Sequence, residues 1–446
     1  MPSSPEIYPM TVEQQSMWLD DHMGAGPSRY VESWVCHLRG AVDRAALRHA
    51  LDRIVARHEA LRSRFVLDDD RLVQVVLPQG HGPELEHLAC PASTLDDTLR
   101  DLVRRPMDVA VSAVRATLVE VADAAPETVV LVLQLHHLVI DDWALQTLER
   151  EFEEHYRAYV EQRAAALAPV PLQPGAYAAA QQSAVRDPAV LAYWRANLRD
   201  LAPDAGSTLA PGTASAQGHR SDRGDRLTFS LDAAAAKRVR AVCRRARVTP
   251  FAVFAATVAV LLHSVRGTQD VIVGTPVSHR GSADRDQVIA PLSELLPLRL
   301  AARPDDSFAD LVGQVRGRVH EALTYKEVSY SELAGMVRRR GVPGGRELCR
   351  TVLVVDDAQP SGIDLPGVEA RRIYVHSGVS KFDLCFTLVA EGRGYLGFLE
   401  YAVDLFSPEE AGRVVEEFTA LLERAAEDPD GPLSRLAGGV ARAGLG

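Results

Sequence analysis

Cysteine is scarce and scattered in this chain: Cys36, Cys90, Cys243, Cys349 and Cys385 are the only five in 446 residues, with no CxxC and no paired spacing. That excludes a disulfide framework, and an odd, dispersed set reads as reduced cytosolic thiols. Positive charge is in deficit: 49 basic against 60 acidic residues leave a net charge of −11. A chain built to coat nucleic acid is thereby excluded. No apolar run reaches the length of a membrane span; the longest, PFAVFAATVAVLLHSV at 250–265, is short and Ala-rich. The opening MPSSPEIYPM has no charged-then-apolar leader. HExxH and Cys/His clusters are absent, so no metal is expected. GxSxG and GxxxxGK[ST] are absent too, which closes the routes of a serine elbow and a phosphate cradle. A cytoplasmic protein with no cofactor of its own is the expectation.

The chain does have an ordinary globular balance, 47% hydrophobic and 24% charged, and length for roughly two to four domains. DRAALRHALDRIVARHEALRSRF (43–65) carries Leu47, Leu51, Ile54, Val55, His58 and Leu61 at helical spacing behind a capping Asp43. TVVLVLQL (128–135) is an unbroken aliphatic run, the pattern of a strand buried on both faces. DWALQTLEREFEEHYRAYV (142–160) returns to helical spacing. Residues 164–225 change to Ala, Pro, Gly and Ser, interrupted by one amphipathic helix in DPAVLAYWRANLRDL. The domain junction is expected there, with a mobile loop at 203–225. Helices are predicted at 231–246, at 250–265 (Thr249 as cap, Pro250 in the first turn) and at 407–427. Strands are predicted at 270–277, 350–357, 381–391 and 395–403. Helices alternating with strands in both halves indicate two α/β lobes: 1–170, a linker at 171–225, and 226–446.

The stretch LQLHHLVIDDWAL (133–145) stands out because a buried strand ends in two histidines. Side chains on a strand alternate faces, so His136 and His137 cannot readily share one metal ion. A neutral imidazole can take a proton near neutral pH, and Asp141 is placed to orient a ring or to be tied by a cation elsewhere. The plainer reading is that both histidines merely end a strand and are satisfied locally. If the chain is an enzyme, it moves an acyl group or a proton.

HHLVIDDW resembles the His-His-x-x-x-Asp-Gly-Trp signature of nonribosomal peptide synthetase condensation domains, in the superfamily of chloramphenicol acetyltransferase. Five further segments follow the same family in order: MTVEQQSMWLDDHM (10–23, with Gln15 and Trp18), RHEALRSRF (57–65), DVIVGTPVSHRG (270–281), LLPLRL (295–300) and KFDLCFTL (381–388). The resemblance implies an α/β fold of two chloramphenicol-acetyltransferase-like lobes in a V, with an active-site tunnel between them. It implies carrier proteins as partners, their substrates borne on phosphopantetheine. The family pattern runs from near residue 8 to near 430, so a free-standing monomeric enzyme meeting its carriers in trans is the expectation, with a domain excised from a larger synthetase as the alternative; neither nucleic acid nor membrane is an expected partner. It places His137 as the catalytic group facing the tunnel, beside His136, acting on an acceptor amine as base or by alignment and hydrogen bonding. It makes Asp141 structural, ion-paired with Arg280 or, failing that, Arg62.

The chain departs from the family at several points. Asp142 replaces the signature glycine; it either acts on a charged substrate or turns to solvent and caps the next helix. Asp-Asp here also resembles non-catalytic recruitment domains of glycopeptide assembly lines, but those have lost the first histidine, which His136 retains. Ser293 and Glu294, in APLSEL where the family has Gly-x-x-Val-Asn-Thr, are expected to shape the substrate tunnel with Asp142 and Trp143. YKEVSYSEL (325–333) diverges as well. An amine acceptor, a soluble alcohol giving an ester, and a silent docking platform all remain open. The basic runs KRVRAVCRRAR (237–247) and RRR (338–340) suit either carrier docking or a solvated helix face.

Overall fold

The computed structural model describes residues 4–24, 28–124, 127–184, 186–201, 209, 221–338, 348–357 and 363–440. The chain forms two compact α/β units. The first comprises Met1–Val185, Ser278–Ser293 and Gly362–Ser377, and the second Arg186–Val277, Glu294–Ser361 and Gly378–Gly446. The sequence reading cut the chain once, around 171–225. The observed units divide it in more places, because two segments of the second half complete the first unit. Most of the expected loop at 203–225 lies outside the described residues. The helix expected in the linker, Pro188–Asn197, is capped by Asp187 and packs in the second unit through Trp194.

The first unit is organised by a five-stranded sheet in the order Val368–Ile373, Val31–Gly40, Thr128–His136, Val114–Val121, Leu85–Cys90. The strand Thr128–His136 lies in the middle and is buried along its whole length. That matches its lack of polar alternation, since both faces are covered. It runs antiparallel to both neighbours, with Val31 opposite His136 and Glu32 opposite Leu135. A separate three-stranded sheet joins Glu6–Pro9, Arg71–Val76 and Ser63–Asp68. Leu47, Leu51 and Ile54 share one apolar core with Leu145, Leu148, Phe152 and Tyr156.

The helix expected over 43–65 is shorter than its stripe suggested: it spans Arg44–Arg57 and stops at His58. A 3-10 turn, Glu59–Arg62, follows, and Ser63–Asp68 is a strand. The reason is the cluster that His58 enters. Its Nε2 lies 2.6 Å from Glu151, which also accepts from Arg57 Nε at 2.9 Å. Burial alone would raise the Glu151 carboxyl, but His58 and Arg57 outweigh it and hold the group below its usual value. One turn further along, burial, with Arg53 adding to it, pushes His155 down to about 4. A base whose value is lowered on folding binds its proton more tightly in the unfolded chain, so acidification favours unfolding. Stability is therefore expected to fall as pH drops from about 6.5 towards about 4. His155→Phe should flatten that part of the profile in urea melts run across the window; an unchanged slope would assign the acid sensitivity elsewhere.

The second unit holds a six-stranded sheet in the order Ser293–Ala301, Asp270–Ser278, Thr351–Asp356, Leu384–Glu391, Gly394–Ala402, Gly224–Leu231. Helices Ala233–Ala246, Pro250–Arg266, Phe308–Thr324 and Pro408–Glu427 contribute to its core. Thr249 stands at the N-cap of Pro250–Arg266 but its side chain makes no capping bond. No single helix among the described residues is long and apolar enough to cross a membrane. The run GRGYLG at 392–397 has the glycine spacing of a dinucleotide fingerprint. It is, however, the turn and start of a hairpin, with Glu391 paired to Gly394 between antiparallel strands. No helix N-terminus follows to receive a pyrophosphate.

Candidate active site

The site grows from the end of the central strand. The backbone N–H of His136 donates to Ala113 O at 2.9 Å and that of His137 to Tyr30 O at 2.7 Å, so both histidines are held by the sheet. Three residues then turn the chain. Leu138, Val139 and Ile140 are fully buried, and Gln14 Nε2 donates to Leu138 O at 2.8 Å. Asp141 caps the helix Asp142–Val160 by accepting from the Ala144 amide.

The two imidazoles have different surroundings, as alternation on a strand requires. His136 is entirely buried. Its Nδ1 accepts from the Leu138 amide at 3.1 Å, so its proton sits on Nε2 and points to Asp21 Oδ2 at 2.8 Å, with Ser28 Oγ at 3.2 Å. Its capacity is used internally, and it is a structural histidine by contact. His137 keeps 19% of its side chain exposed. Its Nδ1 lies 3.0 Å from Ile140 O, and a carbonyl only accepts, so Nδ1 carries a proton. Nε2 is then the nitrogen able to exchange a proton with a substrate. It lies 2.6 Å from Glu32 Oε1, on the neighbouring strand. Tyr30 stands edge-on to His137, with ring centroids 6.5 Å apart. Burial and the Asp20 carboxylate push its phenol well above the usual value, so Tyr30 stays neutral.

Asp141 and Arg280 meet as the resemblance implied, with Arg280 NH1 at 2.6 Å from Asp141 Oδ2 and both side chains buried. The same oxygen accepts from the Leu292 amide at 3.0 Å and from Ser293 Oγ at 2.8 Å. Arg280 NH2 reaches the carbonyls of Val288 and Ala290 at 2.9 and 3.1 Å. The segment Ser278–Ser293 is thus strapped to the loop after the histidines. Arg62 is elsewhere: its Nε donates to Leu77 O at 2.9 Å.

The remaining candidates divide. Asp142 is exposed in the first helical turn, and the cap is Asp141, not Asp142. Its charge still suits the positive end of the helix. Trp143 is 47% exposed and its Nε1 donates to Asp286 O at 3.3 Å. The Ser293 hydroxyl is committed to Asp141. Glu294 is buried in the second unit, where it accepts from the Tyr330 amide at 2.9 Å. In the basic run 237–247, Arg238 pairs with Glu423 and Arg245 with Asp430, both within the second unit. Residues 339–340 of the other run lie outside the described residues. All five cysteines are free, and burial pushes Cys36 up to about 12 and Cys243 to about 11, so these two thiols are unreactive. No group of three or more His, Cys, Asp or Glu among the described residues is placed to hold a metal ion.

Sequence reasoning missed Asp21 and Glu32, the two carboxylates that meet the histidine pair. The signal for Glu32 was strand register: once Val31–Gly40 is laid beside Thr128–His136, it falls diagonally across from His137, whereas Asp21 lies on the helix Val12–Met23 and has no such register.

The strand that ends in one committed and one partly open histidine, with its buried Asp–Arg strap, sits in a mixed α/β architecture. Residues 4–438 match the condensation domain family, and the chain belongs to it. It is 28% identical over 435 residues to the probable non-canonical nonribosomal peptide synthetase CymA of Salinispora arenicola, covering 95% of this chain but only 6% of that synthetase. Among solved structures, the X-domain from teicoplanin biosynthesis superposes with a TM-score of 0.83 at 24% identity, covering 97% of this chain and 98% of that one. The first condensation domain of the calcium-dependent antibiotic synthetase gives 0.81 at 22% identity, covering 97% and 99%. These likenesses establish the two-lobed condensation-domain fold.

Proposed function

We propose that this chain forms an amide by passing an acyl group from a carrier-bound thioester to an acceptor amine. The observation that carries the reading is His137: a partly exposed imidazole whose Nδ1 proton is fixed by Ile140 O, which dedicates Nε2 to proton exchange. In the reaction the amine nitrogen attacks the thioester carbonyl, a C–N bond forms and the C–S bond breaks. The acceptor arrives as the ammonium and gives one proton to His137, which frees its lone pair; after the attack the departing sulfur takes a second proton from the nitrogen and leaves as the thiol. A thioester is already activated, so alignment and modest base assistance suffice. The acyl group arrives on the phosphopantetheine arm of a carrier protein. Asp141 and Arg280 hold the loop that aims His137 and do not touch substrate.

A second reading is a silent platform that binds a loaded carrier. The observation favouring it is Glu32, which meets Nε2 directly. The X-domain is also described in complex with OxyB. Mass spectrometry of an acyl-loaded carrier incubated with this protein and candidate amines or alcohols separates the readings. Loss of the acyl group with appearance of the amide supports the transferase. An ester product would move the assignment to an O-acyltransferase. Tight carrier binding with no turnover for any acceptor would establish the platform instead.

A further inference from the structure

The contact between Glu32 and His137 has a chemical implication for what the site accepts. Glu32 lies on the strand Val31–Gly40, opposite Leu135, so its side chain shares a face with His137 two residues on. With Nδ1 protonated towards Ile140 O, a 2.6 Å approach of Glu32 Oε1 to Nε2 holds one proton between ring and carboxylate. Two facing lone pairs would repel, so the arrangement is that of an imidazolium beside a carboxylate, or of its tautomer. Both groups are reachable, the Glu32 side chain 39% and the His137 side chain 19% exposed. Tyr30, in the turn before the strand, stands edge-on to the His137 ring.

We infer that Glu32 is a specificity-determining residue that selects an acceptor arriving as a primary ammonium over the matching alcohol. This rests on the amide-forming reading of the site. An amine at neutral pH is mostly R–NH3+, which cannot attack until it loses a proton. Its positive charge pairs with the Glu32 carboxylate, which brings one N–H to Nε2 of neutral His137. The proton passes to Nε2, giving the imidazolium–carboxylate pair at the distance observed, and leaves R–NH2 with its lone pair free. That nitrogen attacks the thioester carbon, the C–S bond breaks, and the thiolate takes the second nitrogen proton. The imidazolium then releases its proton to solvent. An alcohol carries no charge for Glu32 to hold and gains nothing from it.

The test compares glycinamide with glycolamide, which differ only in amine against hydroxyl, by NMR titration of the full chain labelled with 15N-histidine. Glycinamide should bind about ten- to a hundredfold more tightly, perturbing the His137 ring. Glu32→Gln, which keeps the shape, should abolish that difference, and Glu32→Asp should keep part of it. In turnover assays Glu32→Gln should raise the amine KM by a similar factor while leaving the KM for the loaded carrier unchanged. Equal binding of the two probes by the wild type, including binding of neither, overturns the proposal. So does a Glu32→Gln variant that keeps the preference. Faster turnover in Glu32→Gln would make the carboxylate a lock on His137 and overturn it as well. Because the titration needs no turnover, an inactive wild type that still prefers glycinamide would sink the amide-forming reading and spare the role of Glu32.

Discussion

Replacing His137 by alanine lowers the rate of acyl transfer by about a hundred- to ten-thousandfold, the range for losing a positioned proton acceptor. Single-turnover transfer from a loaded carrier, read by mass spectrometry, measures this directly. The wild-type ring is fixed twice, at Nδ1 by Ile140 O and at Nε2 by Glu32, so the substitution removes an oriented group. The strand is carried by main-chain bonds to Tyr30 and Ala113, and the imidazole serves the backbone at the Ile140 carbonyl. His137→Ala should therefore melt close to the wild type. His136→Ala should behave differently, because it leaves Asp21 without its Nε2–H donor and opens a hole in a fully buried position. Its loss of activity should be accompanied by a loss of stability. A His137→Ala protein that transfers at the wild-type rate would remove His137 from the chemistry.

The second large effect is expected at the strap. Arg280→Ala leaves a buried carboxylate without its cation, and removing one partner of a buried pair costs about 3–5 kcal/mol. The same change strands the Val288 and Ala290 carbonyls that Arg280 NH2 serves. Lysine should not restore the loss, because one ammonium cannot reproduce a planar fork spread over a carboxylate and two carbonyls. Asp141→Ala removes in addition the cap on Ala144 and the acceptor for Leu292 and Ser293. The double variant should cost clearly less than the sum of the singles, since the second substitution removes a charge already unpaired. Urea unfolding of the four proteins gives the coupling. Strictly additive losses would show that the two groups are independent despite their 2.6 Å contact.

Much of this was legible in the amino-acid sequence, for identifiable reasons. The strand at 128–136 announced itself by lacking polar alternation, and the helix at 408–427 by Ser407 and Pro408 at its start. The stripe at 43–65 misled because His58 and Leu61 keep helical spacing after the helix has ended. What stops it is Glu151, far along the chain and bound to both Arg57 and His58. The Asp141–Arg280 contact came from family resemblance; spacing alone could not favour Arg280 over Arg62. Glu32 and Asp21 escaped notice because a lone carboxylate in a strand or helix has no motif. Cross-strand register gives Glu32 its partner, whereas the helical Asp21 meets His136 only in the tertiary fold.

The strap has a further consequence for how the chain must be made. The first unit takes in Ser278–Ser293 and Gly362–Ser377, so on the ribosome it stays incomplete until those residues have emerged. Until then Asp141 waits without its guanidinium, and the strand Val31–Gly40 presents an open edge where Val368–Ile373 will pair. A fragment ending at residue 185 should accordingly aggregate, whereas adding the two late segments as peptides should rescue its solubility. Synthesis order, more than final stability, is where this architecture is vulnerable.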